Sequence, residues 1–344
     1  MRALVCQAYG PIESLRIEEM PKPEPKAGEV LVKVGAAGVS FAAMLGVQGK
    51  HQNKPALPFV PGNEIAGEIV ALGEGVGDGV THLKVGQRIA TGGSRGGFAE
   101  YCTTIAANAV PIPDGMPYAE ATNFPTLYPT AYGALKWKAN LQPGEVLLVH
   151  GAGGGSGLTG IEVGKAMGAT VIASAGGADK LAAAREVGAD HLIDYRTEDL
   201  RTRVLELTGG RGADVIYDPV GGDAFAASLR CVAPEGRIIP MGFASGTIPQ
   251  IPANILLVKN VTVIGFYYGY YNGWGGKTAP TPREAEALAK RRALVMDAQR
   301  ELMRWFTEGK LRALVAGRFD LADWVKAFKL IEERTVIGKA VLVP

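Results

Sequence analysis

The feature that most constrains the fold of this 344-residue chain is an apolar run that leads directly into a cluster of glycines. Val146–Val149 has the composition of a buried parallel strand, and five glycines follow within the seven residues 151–157. Glycine lets a backbone turn sharply and approach phosphate oxygens without a Cβ clash, and the N-terminus of the following helix offers free N–H groups to an anion. The stretch therefore predicts a turn that binds the pyrophosphate of a dinucleotide.

Two glycine patterns overlap in this stretch. Gly151, Gly154 and Gly157 recur at a spacing of three, whereas Gly155–Gly160 matches the literal G-x-G-x-x-G pattern. We favour the first set, because Gly160 should already lie inside the helix. A glycine cluster on its own is more often a plain turn, so the interpretation depends on the residues beyond the loop.

Beyond the glycine loop, helices and strands alternate regularly. A predicted helix at 158–168 and a strand at 170–174 complete a β-α-β unit of about thirty residues. Further helices are predicted at 178–187 and 198–208, and further strands at 191–194, 214–217, 237–240 and 261–264. Six strands alternating with helices predict the α/β class, with a Rossmann-type doubly wound parallel sheet.

The end of the second predicted strand bears on the choice of cofactor. Enzymes that bind the unphosphorylated dinucleotide usually place Asp or Glu there, on the ribose hydroxyls. Here Ser174 is followed by small residues, and Asp179 is expected to begin the next helix. A hydroxyl, small residues and Lys180 tolerate a 2′-phosphate, so the pattern favours NADPH. The alternative for Lys180 is an ordinary solvated helix lysine.

The segments on either side of the predicted parallel sheet have a different sequence pattern. Residues 1–125 contain short β-type runs such as Glu29–Val34 and Glu64–Val70, separated by Gly and Pro, which predict a mostly antiparallel β domain. Beyond 265 come the aromatic cluster Phe266–Trp274, a predicted helix at 282–308 and a strand at 339–343 that could return to the first domain. The predicted division is therefore 1–125, 126–265 and 266–344, the last returning to the first domain.

Composition narrows the possible partners and compartments. A net charge of +2 predicts no nucleic acid or other polyanion as a dedicated partner. Three widely spaced cysteines argue against a disulfide framework and favour a reducing, cytoplasmic location. No stretch reaches the ~18 apolar residues of a membrane span, and the first residues do not read as a secretory signal, so no membrane association is expected.

Short motifs that are similar to those of a known protein family occur along nearly the whole chain. They include Leu57–Gly62, Gly97–Tyr101, Gly188–His191, Tyr217–Gly221 and Gly338–Leu342, in addition to the glycine loop. In these motifs the chain resembles the medium-chain dehydrogenase/reductase superfamily, and within it the zinc-free quinone oxidoreductases that include zeta-crystallin. The resemblance implies a GroES-like, mostly β catalytic domain interrupted by a Rossmann domain that binds NADPH.

The positions that hold metal in zinc-bearing relatives are occupied here by poor ligands. Those relatives take a Cys from the turn near position 40 and a His-Glu pair near 63, where this chain has Ser40 and Asn63-Glu64. Of the four cysteines of their structural zinc, only Cys102 lies in the corresponding region. We therefore expect no metal. Hydride addition to a quinone or a polarised C=C bond needs only orientation and hydrogen bonds to oxygen, whereas alcohol oxidation would lack a Lewis acid.

The resemblance also implies particular cofactor contacts. It places the 2′-phosphate at Gly176, Lys180, Tyr195 and Arg334, and the nicotinamide carboxamide beside Thr130. The contacts implied for the glycine loop and the nicotinamide side are Gly151, Gly154, Gly155, Ser156, Gly157, Gly242, Phe243, Ser245, Phe266 and Tyr268.

The candidate substrate-orienting groups are Ser40, Asn63 and Tyr128. Bacterial reductases of this group usually have Asn where Ser40 stands, followed by Asp and Tyr, so the lip of this pocket is more apolar. Tyr128 could donate a hydrogen bond to a carbonyl oxygen or be an ordinary buried tyrosine. The proton of the reaction could come from Tyr128 or from water.

These observations leave three hypotheses for function. The first is an NADPH-dependent, zinc-independent reductase of quinones or α,β-unsaturated carbonyls. The alternatives are a zinc-independent alcohol or carbonyl dehydrogenase, and a non-catalytic, NADPH-bound structural or RNA-binding protein as some zeta-crystallins are. The strand at 261–264 should lie at the edge of the Rossmann sheet, and relatives pair it across a two-fold axis, so a homodimer is expected.

Overall fold

The computed structural model describes residues 1–51, 54–77, 82–93, 96–273 and 281–344. Within these residues the chain forms two compact units, one made of Met1–Thr126 with Ala313–Pro344 and the other of Leu127–Arg312. We call them the first and second units. Trp274, the last residue of the predicted aromatic cluster, lies outside the described residues.

The strands in chain order are β1 (Arg2–Val5), β2 (Arg16–Glu19), β3 (Glu29–Gly38), β4 (Glu64–Leu72), β5 (Arg88–Gly92), β6 (Tyr101–Ile105), β7 (Ala109–Pro111), β8 (Val146–His150), β9 (Thr170–Ala175), β10 (His191–Asp194), β11 (Ala213–Asp218), β12 (Val232–Pro240), β13 (Thr262–Val263), β14 (Val315–Asp320) and β15 (Lys339–Val343). The helices are α1 (Phe41–Val47), α2 (Tyr118–Ala121), α3 (Leu127–Tyr132), α4 (Gly155–Ala166), α5 (Ala178–Glu186), α6 (Leu200–Leu207), α7 (Gly222–Cys231), α8 (Ala253–Lys259), α9 (Tyr268–Asn272), α10 (Pro282–Thr307) and α11 (Trp324–Glu332). A π-helical segment, Gly133–Lys138, follows α3 directly.

The first unit is the mostly antiparallel β domain that the sequence predicts. Its main sheet has the order β14-β15-β3-β4-β5-β7 among the described strands, and β6 also pairs with β3. One end of this sheet carries a buried ion pair between Glu64 of β4 and Lys339 of β15. A Cβ built on Gly38 would lie 2.2 Å from Cε of Lys339, so glycine makes room for the lysine stem. A buried pair of this kind is costly to break, because the remaining charge would be left uncompensated.

The second unit is built on the predicted parallel sheet. Its described strands lie in the order β10-β9-β8-β11-β12-β13, which is the Rossmann order. The central strand β11 is buried along its whole length, as expected for a parallel strand covered by helices on both faces. Val149 of β8 lies opposite Ala173 of β9 and Tyr217 of β11, so the carboxyl ends of these strands meet at one edge of the sheet. The glycine loop leaves the sheet at that edge.

The return to the first unit differs from the predicted division. The first boundary lies within a residue or two of position 125, but the chain returns at Ala313 and not at 266. Residues 266–312 stay with the second unit because α10 buries Leu302 and Trp305 there, and the Trp305 ring lies 5.7 Å from that of Tyr132 of α3. The long helix is thus part of the dinucleotide-type unit.

Several element boundaries were predicted closely, and others were not. The helix after the glycine loop begins at Gly155 and not at 158, and the strand predicted at 237–240 begins at Val232. Neither α7 nor α8 was predicted. α7 passes directly into β12 without a turn residue between Cys231 and Val232, so no turn-forming residue marks the boundary in the sequence.

The described helices include none that is both long and apolar enough to cross a bilayer. All three cysteines, Cys6, Cys102 and Cys231, are buried with free thiols. Burial raises the pKa of Cys102 and of Cys231 to about 12. Because the thiolate is the reactive form, these two cysteines are expected to be chemically inert at neutral pH.

Candidate functional site

The loop between β8 and α4 is shaped by three glycines, each for a different reason. Gly151 has a φ of +58°, which disfavours a side chain. Gly154 is the residue before the helix, and its N–H donates to the carbonyl of Gly151 at 3.0 Å. A Cβ on Gly157 would lie only 2.2 Å from the carbonyl oxygen of Gly151, so no side chain fits there. These are the three glycines that the sequence interpretation favoured.

The N-terminus of α4 is suited to an anion. No side chain caps it, and its first turn has no acidic residue. The N–H groups of Gly155, Ser156 and Gly157 have no partner within the helix, because the first turn lacks preceding carbonyls. Together with the helix dipole they form a site suited to a phosphate group.

The side chain of Ser156 has a structural role. Its hydroxyl lies 3.0 Å from the hydroxyl of Tyr217, a fully buried residue of β11 whose pKa burial raises to about 12. Gly160 completes this packing, because a Cβ there would lie 3.2 Å from the Tyr217 ring. Glycine at 160 therefore brings α4 close to the sheet, and Ser156 is left with its backbone N–H for a ligand.

A cavity of about 480 Å³ opens at the carboxyl edge of the sheet, beside the glycine loop. Six predicted residues line it: Gly151, Gly154, Gly176, Lys180, Tyr195 and Ser245. Further lining residues that the sequence did not indicate are His150, Leu200, Val220, Gly221, Asp223 and Ala224. The structure thus brings together residues from five strand ends that are up to 95 positions apart in the chain.

The end of β9 is bare backbone. Gly176 and Gly177 follow it, and Gly177 has a φ of +99°. Lys180 lies in the first turn of α5, and its stem packs on the glycine loop, since a Cβ on Gly153 would lie 2.5 Å from Cγ of Lys180. This strand end therefore offers a lysine and a gap where a dinucleotide site specific for the unphosphorylated ribose would have a carboxylate.

His150 is the most notable lining residue that the sequence did not predict. Its Nε2 lies 2.8 Å from Oγ of Ser228, and that hydroxyl donates to the carbonyl of Ala224 at 2.8 Å. The imidazole must then donate to the serine, which fixes its tautomer. Burial lowers the pKa of His150, against the opposing effect of the Asp218 carboxylate. The one signal that could have identified it is its position directly before the loop.

Apart from Ser245, the residues implied for the nicotinamide side lie outside the cavity lining. Thr130 is half-buried on α3, and Gly242 and Phe243 follow β12, where Phe243 is exposed. The Phe266 ring belongs to an aromatic cluster, 5.6 Å from Tyr271 and 6.5 Å from Trp137. The role of these residues toward a cofactor stays a prediction.

Tyr268 and Arg334, which the resemblance also implies as cofactor contacts, lie in different units. The ring of Tyr268 is buried, and burial raises the pKa of its hydroxyl to about 12. Because the ring is buried, the backbone of Tyr268 is the better placed group for a ligand, and the contact with the cofactor stays a prediction. Arg334 belongs to the first unit, where it is exposed directly after α11 with a φ of +57°. Its contact with a 2′-phosphate stays a prediction.

The three predicted substrate-orienting residues differ in their burial and in their hydrogen bonds. Tyr128 is fully buried and donates a 2.6 Å hydrogen bond to Oε2 of Glu162, a buried residue of α4. This environment favours the alternative of an ordinary buried tyrosine, and a role toward substrate stays a prediction. Ser40 caps α1, and its Oγ accepts the N–H of Ala43 at 3.2 Å. Asn63 is exposed and lines a cavity of about 280 Å³ in the first unit, beside Phe59 and Tyr101.

Comparison with known proteins gives a consistent result. Residues 26–114 match the family described as alcohol dehydrogenase GroES-like domain, and residues 155–279 match the family described as zinc-binding dehydrogenase. The chain is 39% identical over 344 residues to a quinone oxidoreductase-like protein 2 homolog of Nematostella vectensis, covering 99% of this chain and 88% of that protein. It is 33% identical over 338 residues to a quinone oxidoreductase of Pseudomonas aeruginosa, covering 98% of each.

Solved structures agree with the sequence comparisons. The crystal structure of Escherichia coli quinone oxidoreductase complexed with NADPH superposes with a TM-score of 0.86 and 29% identity, covering the whole of both chains. The order of the described strands, the glycine loop and these likenesses lead to one assignment. The chain belongs to the quinone oxidoreductase family of the medium-chain dehydrogenase/reductase superfamily.

Proposed function

We propose that this oxidoreductase uses NADPH, needs no zinc, and transfers hydride to a quinone or an α,β-unsaturated carbonyl compound. The observation that carries the proposal is the cavity of the second unit, where the glycine loop, the bare end of β9, Lys180 and Tyr195 meet. NADPH would supply the hydride. The N–H groups of the first turn of α4 would bind the pyrophosphate, and Lys180 with Tyr195 would bind the 2′-phosphate through charge-assisted hydrogen bonds.

On the acceptor side, Ser40 and Asn63 are the groups that we assign to the substrate oxygen. The Ser40 oxygen already accepts an N–H from α1, but its hydroxyl proton is available for donation. Asn63 brings an amide to the rim of a cavity that also contains Phe59 and Val60. A mostly apolar cavity with a few polar groups suits a ring with a carbonyl oxygen to orient. Since Tyr128 is buried, we assign the proton of the reaction to solvent water.

Zinc independence rests on the chemistry of the side chains. Serine and asparagine are weak zinc ligands compared with cysteine and histidine. The neighbouring carboxylate, Glu64, is buried and paired with Lys339, so its charge is already compensated within the first unit. The residues present therefore do not fit a catalytic zinc.

We further propose a homodimer formed through the edge of the parallel sheet. β13 is the last described strand of the sheet order. No residue of α8 is buried, and Leu257 and Val258 are 78% and 77% exposed. Two exposed apolar side chains beside an open strand edge favour association with a second copy. A cytoplasmic location, supported by three free cysteines, completes the proposal.

The decisive test is oxidation of NADPH and of NADH, followed at the nicotinamide absorbance with a panel of 1,4-quinones, 2-alkenals and enones. We expect turnover with NADPH, a preference for NADPH over NADH, and no loss of activity after dialysis against a chelator. Turnover only with alcohols, or loss of activity on chelation, would contradict the proposal.

A matched pair of glycine variants links this activity to the loop. Gly157→Ala should abolish cofactor binding, because the new methyl group would overlap the Gly151 carbonyl. Gly115→Ala is the control, since a Cβ there meets nothing within 4 Å. Full activity in Gly157→Ala would show that the loop is not the pyrophosphate site.

A further inference from the structure

We propose that Arg196 is a specificity-determining residue that distinguishes NADPH from NADH, as an additional cation for the 2′-phosphate. The inference rests on the proposed use of NADPH and adds a residue that the sequence interpretation did not identify. Arg196 is exposed and stands two residues after the end of β10.

The sheet register brings Arg196 to the end of β9. Asp194, the last residue of β10, lies opposite Ala175, the last residue of β9, and the two strands are parallel. The residues that come after them therefore leave the sheet side by side. A Cβ on Gly176 would lie 2.8 Å from the hydroxyl of Tyr195 and 2.7 Å from Nε of Arg196. A Cβ on Gly177 would lie 3.1 Å from Nη1 of Arg196. Tyr195 thus lies against Gly176, and Arg196 lies against both glycines.

The guanidinium of Arg196 has no partner among the described residues. Of the two carboxylates nearest to it in sequence, Glu198 forms an ion pair with Arg203. The other, Asp194, accepts the N–H of Gly177 at 3.3 Å and the N–H of Arg196 itself at 3.0 Å, so both of its oxygens are engaged with backbone groups. The planar guanidinium keeps its side-chain donors, a set that matches phosphate oxygens two at a time.

The location of this cation suits a phosphate and not a ribose hydroxyl. Gly176, against which Arg196 lies, lines the same cavity as Lys180 and Tyr195. A group bound over Gly176 would meet a lysine, a phenol and a guanidinium. Lysine contributes a point charge, whereas arginine adds bidentate geometry, so the two cations act differently on the same anion.

The experiment compares ligands with and without the 2′-phosphate. Dissociation constants of NADPH, NADH, 2′,5′-ADP and 5′-AMP are measured by fluorescence or calorimetry for the wild type, Arg196→Ala and Arg196→Lys. Arg185→Ala is the control, because Arg185 is an exposed arginine in the last turn of α5, whereas Lys180 lies in the first turn. We expect Arg196→Ala to weaken NADPH and 2′,5′-ADP about tenfold, about 1.4 kcal/mol, and to leave NADH and 5′-AMP within about twofold. Arg196→Lys should be intermediate, and Arg185→Ala should match the wild type.

Two results would overturn the assignment. Equal weakening of all four ligands would mean that Arg196 contacts the adenosine part, for example by stacking on the base. Unchanged affinity for 2′,5′-ADP would mean that Arg196 does not meet the phosphate. These failures differ from failure of the proposed function, in which the wild type itself would bind 2′,5′-ADP no better than 5′-AMP.

Discussion

Gly157 and Tyr128 show how differently single residues can be interpreted. The role of Gly157 follows from its spacing, because a loop that approaches its own helix needs a residue without Cβ, and the structure has 2.2 Å between that missing atom and a carbonyl oxygen. The role of Tyr128 depends on Glu162, a residue 34 positions away. Its partner can be recognised only when α3 and α4 are packed together.

Removing the Tyr128 hydroxyl should affect stability and not catalysis. Tyr128→Phe leaves a buried carboxylate oxygen of Glu162 without this donor, so we expect a loss of about 1–3 kcal/mol in the free energy of unfolding. The measurement is urea unfolding followed by circular dichroism, together with kcat for the best acceptor. We expect kcat to stay within about twofold of the wild type, since the hydroxyl is buried.

Tyr217→Phe provides the comparison for that variant. Tyr217 is also fully buried, but its hydroxyl pairs with the neutral hydroxyl of Ser156, so its removal should cost only about 0.5–1.5 kcal/mol. A fall of tenfold or more in kcat for Tyr128→Phe, with unchanged stability, would restore Tyr128 as a donor to substrate.

At the scale of the elements, the ion pair between Glu145, directly before β8, and Arg237 of β12 predicts a stability that depends on pH. Both guanidinium nitrogens of Arg237 lie 2.8 Å from the two carboxylate oxygens of Glu145, and Nε of Arg237 donates to the carbonyl of Ala139. The hydrogen bonds from Arg237 hold the pKa of Glu145 below its ordinary value of 4.5. A depressed carboxylate pKa contributes stability that is present above the unfolded pKa and lost as pH falls through the folded one.

We therefore expect Glu145→Gln to destabilise the protein at pH 7 and to have a smaller effect below about pH 4.5. Urea unfolding at a series of pH values from 3.5 to about 7 measures the difference from the wild type. Glu286→Gln, which alters an exposed pair with Lys290 on α10, is the control and should show little effect at any pH. A Glu145→Gln effect that stays constant across this range would contradict the linkage.

Apart from the start of α4, the elements from 146 to 194 were predicted closely, because each is marked by its own residues. The strands are apolar runs, and Gly168 and Gly188, both with positive φ, end the intervening helices. The stretch from 222 to 240 was predicted poorly for the opposite reason. β12 continues through Pro234, Glu235 and Gly236, where Glu235 has a φ of +61°, so residues typical of a turn stand inside a strand. Tertiary packing overrides local preference there.

Some residues of the candidate site could be predicted from local sequence patterns, whereas others are brought there only by the fold. The glycine loop, Lys180 and Tyr195 lie in local patterns, and the structure places them around one cavity. Arg196 carries no local signal, and the only one for His150 is its position directly before the glycine loop. A buried histidine at a strand end and an exposed arginine after another strand acquire a role only from the register of the sheet.

For the whole molecule, the exposed face of α8 and β13 determines the expected assembly. The wild type should sediment at about twice the 36.1 kDa of one chain. Leu257→Lys combined with Val258→Lys should shift it to the mass of one chain, because two charges would have to be buried in the interface.

Sedimentation velocity at several concentrations tests this expectation. Leu294→Lys, on an exposed apolar residue of α10, is the control and should leave the assembly unchanged. A wild type that sediments as a single chain at tens of micromolar would refute the homodimer.

One carboxylate holds both ends of the segment 127–312. Glu162 accepts a hydrogen bond from Tyr128, the second residue of that segment, and another from the N–H of Arg312, its last residue. An insertion whose ends meet at a single side chain leaves and re-enters its host at nearly one point. The glycine loop, Lys180, Tyr195 and Arg196 all lie within it, so the groups proposed to bind the dinucleotide, apart from Arg334, belong to one continuous insertion.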